Sequence, residues 1–197
     1  SLRKARSLAG RFPDALIVGA DQIAEVGGER LHKPGTEENA RGQVSRVTFP
    51  AGATAGLAID PRRRDRLTVS VISTDAAVSG VWTVPLSAFR GRGAPQLAVP
   101  IPPGGFLNGV TYDPQGNLYI ADSALGRVWR VRAGSGAATA WLDDPLLRPT
   151  GVRIGQFLVP GANGVKIARG QLFVSNTSTG ALLSAPLVIN MGFHLAG

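Results

Sequence analysis

Leu107 to Val131 reads LNGVTYDPQGNLYIADSALGRVWRV, and its pattern decides the fold. Short apolar runs (Val110 with Tyr112, Leu118 with Ile120, Val128 with Val131) are separated by Pro114-Gln115-Gly116-Asn117 and by Ser123 to Gly126. The stretch therefore predicts three short strands joined by two turns. It recurs. Asn163 to Leu183, NGVKIARGQLFVSNTSTGALL, repeats it nearly step for step: NGV answers NGV, and QLFVSNT answers NLYIADS. A fainter copy lies upstream, in Gly56-Leu57-Ala58-Ile59-Asp60-Pro61, then Leu67 to Ile72, then Gly80-Val81-Trp82-Thr83-Val84. The opening glycines Gly56, Gly109 and Gly164 follow at steps of 53 (109 − 56) and 55 (164 − 109).

A period of about fifty residues made of short strands suits a β-propeller blade, which needs four antiparallel strands and their loops. Paired helices would show apolar residues three and four apart, and this part of the chain has no such spacing. The expected fold is mainly β: a partial, about three-bladed β-propeller arc over residues 47–197, after a small N-terminal α/β fragment over residues 1–46. Within the arc, Gln96 to Val99 and Ala138 to Leu142 are read as outer strands, and Leu146 to Val159 as the crossover to the third unit. Trp82 and Trp129 fall in corresponding third strands and are expected to pack between blades.

Composition narrows the function classes. With 44% hydrophobic and 17% charged residues, the 197-residue chain can bury a real core. The absence of cysteine removes disulfides and thiolate chemistry. No apolar run approaches the roughly 18 residues of a membrane-spanning helix, and Ser1-Leu2-Arg3-Lys4 does not open a secretory signal. No membrane partner is expected. The net charge of +8 comes mostly from arginine, since only Lys4, Lys33 and Lys166 are lysines. The densest cluster, Arg62-Arg63-Arg64 with Arg66, follows Asp60-Pro61 and reads as a solvated hairpin turn. It lacks the interleaved aromatics of a nucleic-acid surface, so no nucleic-acid partner is expected. His32 and His194 stand alone and form neither a triad nor a zinc pattern.

Residues 1–46 read as helix, hairpin, helix. Leu2, Ala5, Leu8 and Ala9 share one helical face, and Ala15 to Ala20 is a continuous apolar run typical of a buried strand. Gly27-Gly28 turns the chain into Glu29 to Pro34, and Thr36 is placed to cap a helix through Val44. Three features, the Lys4-Ala5 helix, Val18-Gly19-Ala20-Asp21-Gln22, and Lys33-Pro34 beyond the Gly turn, make residues 2–43 resemble the middle of a Maf-type nucleotide pyrophosphatase. That resemblance implies Asp21 as general base and Lys33 as a contact to the triphosphate. A carboxylate at a strand end can activate water, and an ammonium offsets phosphate charge. The plain alternative makes Asp21 a strand-end turn acid and Lys33 an exposed hairpin base. The family's Ser/Arg-rich phosphate loop would precede Ser1, and nothing from Thr48 onward resembles its later strands.

NGVTYDPQGNLYIADSALGRVWRV and PGANGVKIARGQLFVSNTSTGALL resemble, in turn, the senescence-marker-protein/gluconolactonase group of propellers, with NHL-type propellers close behind. That resemblance implies a divalent metal such as Ca²⁺ on the ring axis and hydrolysis of a lactone or similar ester by metal-activated water. The positions matching the family's metal ligands are Asn108 and Asn163. Unit one has Ala55 at the equivalent place, and no matching Glu is present. As a plain alternative, Asn before Gly suits a turn that enters a strand, because both residues tolerate positive φ. Asp122-Ser123 and Asn176-Thr177 read as turn residues bonding their own backbone.

Three blades leave two open faces that a closed ring would bury, so self-association through them is expected. The switch from one family's middle to another's implies a chimeric or fragmentary reading frame. The two resemblances point to different compartments, the cytoplasm for the first and export for many members of the second. Three function classes are thus in play: a metal-dependent lactonase acting on a small molecule, a Maf-like pyrophosphatase fragment, and a non-catalytic propeller scaffold. No organic cofactor is expected.

Overall fold

A computed structural model describes residues 45–187 and the two short strands β1 (Ala24–Val26) and β2 (Glu29–Leu31). The chain divides into two compact units, Ser1–Ser45 and Arg46–Gly197. In the first, β1 pairs antiparallel with β2, Val26 facing Glu29. The expected helices, the apolar strand, Asp21 and Lys33 lie outside the described residues.

The second unit is mainly β. Its first sheet runs β3 (Ala53–Asp60), β4 (Arg63–Ile72), β5 (Gly80–Pro85), β6 (Gln96–Pro100), each hydrogen-bonded to the next. The second repeats this meander with β7 (Leu107–Tyr112), β8 (Leu118–Asp122), β9 (Arg127–Val131) and β10 (Ala138–Asp143). A small hairpin, β11 (Arg153–Ile154) with β12 (Phe157–Leu158), interrupts the crossover. The third sheet is β13 (Ala162–Ala168), β14 (Gln171–Asn176) and β15 (Ala181–Pro186).

Strand alternation explains how the sheets stack. Successive side chains of a strand point to opposite faces, and all five residues of β8 are buried. Leu118 and Ile120 join Val81, Val99, Leu107 and Val110 in the core between the first and second sheets. Tyr119 and Ala121 join Val165, Leu172 and Val174 between the second and third. The first strands of successive sheets stand side by side: a Cβ on Gly56 of β3 would lie 2.9 Å from the Gly109 Cα of β7, and one on Gly109 would lie 2.5 Å from the Asn163 carbonyl oxygen of β13. The unit is thus a row of small antiparallel meanders, here called blades, and none of the sheets closes into a barrel.

One packing expectation is corrected. Trp129 packs against the core between the first two sheets. Trp82 instead lies on the outer face of the first sheet, edge-on to Phe49 with ring centroids 5.6 Å apart. The physical reason is alternation: Val81 takes the inward place on β5, which turns its neighbour outward.

Candidate functional site

The repeated Xaa-Gly pairs occupy one structural position. In each first strand the pairing register shifts across it: between Thr54 and Leu57, between Leu107 and Val110, and between Ala162 and Val165. Each is a β-bulge, which re-aims local groups at the strand start. None of Gly56, Gly109 or Gly164, nor either asparagine, has positive φ. The turn expectation for Asn-Gly is therefore corrected. At Gly56 and Gly109 glycine is required by the backbone of the next blade, which leaves no room for a Cβ.

Hydroxyl groups bridge the bulges. The Gly56 N–H donates to Ser70 Oγ at 2.8 Å, and Ser70 Oγ donates to the Asn108 carbonyl at 2.8 Å, joining the first blade to the second. Ser123 Oγ donates to the Ala162 carbonyl, joining the second to the third. The Gly164 N–H donates to Ser175 Oγ at 2.9 Å. Asn108 and Asn163 thus sit at the starts of neighbouring strands. Asn108 Nδ2 donates to Ser123 Oγ at 3.2 Å, and Asn163 Nδ2 donates to Thr177 Oγ1 at 2.9 Å. The pair offers neutral amide oxygens only, whereas a hard ion such as Ca²⁺ calls for carboxylates to complete its shell. Among the described residues no group of three His, Cys, Asp or Glu side chains comes together. The donor set fits such an ion poorly.

The second unit contains seven carboxylates and no glutamate, and each carboxylate serves a structural contact. Asp122 is fully buried. Its Oδ1 accepts from the Phe106 and Leu125 N–H groups at 2.9 and 3.1 Å, and its Oδ2 accepts from Trp129 Nε1 at 3.0 Å. Asn176 holds the equivalent place in the third blade: Nδ2 donates to the Leu146 and Arg148 carbonyls at 2.8 and 3.0 Å, and Oδ1 accepts from the Ser178 N–H at 3.1 Å. Both side chains hold the turn after the second strand and the segment leading into the first. Asp113 binds Asn117 through N–H and Nδ2 (2.8 and 2.7 Å) and accepts from the Tyr119 hydroxyl at 3.3 Å. Burial, then the Asp113 charge, raises the Tyr119 pKa. Asp143 pairs with Arg127 at 2.6 Å, Asp60 with Arg62 at 3.4 Å and Asp65 with Arg66 at 3.2 Å. Asp75 accepts from the Ala77 N–H and Asp144 from the Leu146 N–H, both at 2.8 Å.

Sequence reasoning missed a cavity of about 550 Å³ between the first and second sheets. Its walls bring together Arg62, Arg63 and Arg66 from the β3–β4 hairpin and Arg132 from the end of β9, around Tyr112. The Tyr112 hydroxyl lies 2.7 Å from Thr68 Oγ1, and burial raises its pKa against the lowering effect of that hydrogen bond. The cluster does lie at a turn, as the Asp60-Pro61 signal indicates: Pro61 and Arg62 form it, and Arg63 opens β4. The missing signal was the meeting of that turn with a residue of the next blade.

No known protein-family model matches the chain. Short stretches of it are similar to curated enzymes. They are 51% identical over 45 residues to the 7-methyl-GTP pyrophosphatase of Xanthomonas campestris pv. campestris (strain 8004), covering 23% of each chain. The corresponding protein of Aromatoleum aromaticum is 49% identical over 47 residues, 24% of each chain. That of Xanthomonas axonopodis pv. citri is 46% identical over 48 residues, 24% of this chain and 25% of the relative. The chain spans about a quarter of the length of the curated relatives it matches. These matches support the pyrophosphatase resemblance and lend none to the lactonase one. About a quarter of the chain is similar to Maf-like 7-methyl-GTP pyrophosphatases.

Proposed function

We propose that the N-terminal unit is a nucleoside-triphosphate-handling segment of the 7-methyl-GTP pyrophosphatase type, and that the second unit is a non-catalytic propeller arc. The observation that carries the first part is the 51% identity over 45 residues, read with the Val18-Gly19-Ala20-Asp21-Gln22 and Lys33-Pro34 motifs of residues 2–43. In this reading Asp21 accepts the proton of the water that attacks the phosphoanhydride, pyrophosphate leaves, and Lys33 offsets the triphosphate charge. The second part is supported by the carboxylates of the second unit, each already an acceptor in a structural contact.

The test is pyrophosphate release from 7-methyl-GTP by the full chain. Asp21→Asn should abolish release by two orders of magnitude or more, on the scale of general-base catalysis at about 10²–10⁴. Lys33→Ala should weaken nucleotide binding. Release by wild type that is no faster than release by Asp21→Asn refutes the assignment.

A further inference from the structure

We infer that the cavity between the first and second sheets is a binding site for a small organic phosphate monoester, held between Arg63 of one blade and Arg132 of the next. This does not rest on the pyrophosphatase reading, which concerns the other unit.

The argument begins with charge. Four guanidiniums (Arg62, Arg63, Arg66, Arg132) and one carboxylate, Asp60, line the cavity. Arg62 is matched by Asp60, its Nε 3.4 Å from Oδ1. Arg66 is matched by Asp65 at 3.2 Å; this contact lowers the Asp65 pKa and raises that of Arg66. Arg63 and Arg132 make no ion pair with any described residue. Arg63 acts on Asp65 only through space, so two guanidiniums without a direct ion-pair partner line one concave space. A phosphate monoester carries about −1.5 to −2 at neutral pH with three strong acceptor oxygens, and guanidinium forks fit those oxygens in pairs. A carboxylate or sulfate ester would leave one charge unmatched.

Shape supplies the rest. The floor is apolar, made by Val81, Val99, Leu118 and Val131 beside the Tyr112 ring, so the alcohol half of the ester has a surface to cover. About 550 Å³ lies within the usual range for small-molecule sites, roughly 300–1,000 Å³. Gly116 has φ of +82°, and a Cβ there would strike the Arg62 guanidinium. The glycine therefore lets Arg62 of the first blade lie across the β7–β8 turn of the second and form part of the cavity wall.

The experiment is isothermal titration of the full chain with phenyl phosphate, with phenyl sulfate as the monoanionic comparison. Saturable one-to-one binding is expected, weakened about tenfold or more by Arg63→Ala and again by Arg132→Ala, the scale of a lost charged hydrogen bond. Arg64→Ala, at an exposed residue that does not line the cavity, should bind as wild type. Lys33→Ala should also leave it unchanged, which separates this site from nucleotide binding by the other unit. The proposal fails if there is no saturable binding at millimolar probe. Equal binding of phenyl sulfate, equal loss in Arg64→Ala, or loss in Lys33→Ala alone would each overturn it as well.

Discussion

Gly109→Ala tests the blade arrangement more directly than any change in the core. Gly109 does not have positive φ, so alanine meets no backbone strain of its own. The new Cβ would stand 2.5 Å from the Asn163 carbonyl oxygen, 3.0 Å from the Val165 nitrogen and 3.1 Å from the Gly164 Cα. All three are backbone atoms of the next blade, so no flexible side chain can swing away. The strands β7 and β13 must separate by several tenths of an ångström, against the core of Val165, Leu172 and Val174 that holds them. Overpacking of this kind costs about 1–3 kcal/mol. Loss of glycine freedom in the unfolded chain returns about 0.4–1 kcal/mol. The net destabilisation expected is about 1–2 kcal/mol, or a melting temperature lower by about 2–8 °C at this size. Gly164→Ala is the matched control, because its Cβ would meet only Ser175 Oγ at 3.1 Å. It should be near neutral. Urea unfolding followed by tryptophan fluorescence, with calorimetry on the same samples, reads both. If the two variants are equally stable, the first strands do not abut as described and the propeller reading falls.

Three further outcomes follow from particular contacts. Asp122→Ala leaves the Phe106 and Leu125 N–H groups and Trp129 Nε1 without their buried acceptor, at about 1–3 kcal/mol each, so an urea midpoint within error of wild type would contradict the anchor role. Arg169 sits at φ 50° beside Gly170 at φ 74° in the two-residue β13–β14 turn, a geometry that favours Asn-Gly. Arg169→Asn should therefore raise stability by about 0.5–1 kcal/mol, measured by the same unfolding curves. Tyr112 has a raised pKa in the folded state, so the folded chain holds this proton more tightly than the unfolded one. Its contribution is constant below the ordinary tyrosine value of 10.0 and is lost as pH rises from there through the folded value. Melting temperatures taken across alkaline pH should fall less steeply in Tyr112→Phe than in wild type.

What was legible in the sequence is what strands and turns encode locally. NGVTYDPQGNLYIADS carries its own alternation and its own turn residues, so β7, β8 and the clamp Asp122 follow from neighbours within a few positions. The β11–β12 hairpin has two residues per strand, too few to raise a period above its surroundings. The reason for glycine at 56 and 109 lies in another blade, beyond the reach of local pattern: Asn108 crowds the first and Asn163 the second, and the register between blades is set by packing rather than by any turn. Trp82 shows the same limit from the side-chain direction. Its place in the repeat matches that of Trp129, yet Val81 takes the inward place on β5, so Trp82 meets Phe49 on the opposite face. The cavity arginines are the extreme case. Arg63 and Arg132 are far apart in sequence; the first reads as part of a solvated turn, and nothing local singles out the second. Only the stacking of Leu118 and Ile120 against Val81 and Val99 brings the ends of β4 and β9 to the same cleft. Charge that is unremarkable along the chain becomes a pair of guanidiniums sharing one cleft once the blades stack, so the proposed phosphate site is a property of the joint between repeats and not of any single repeat.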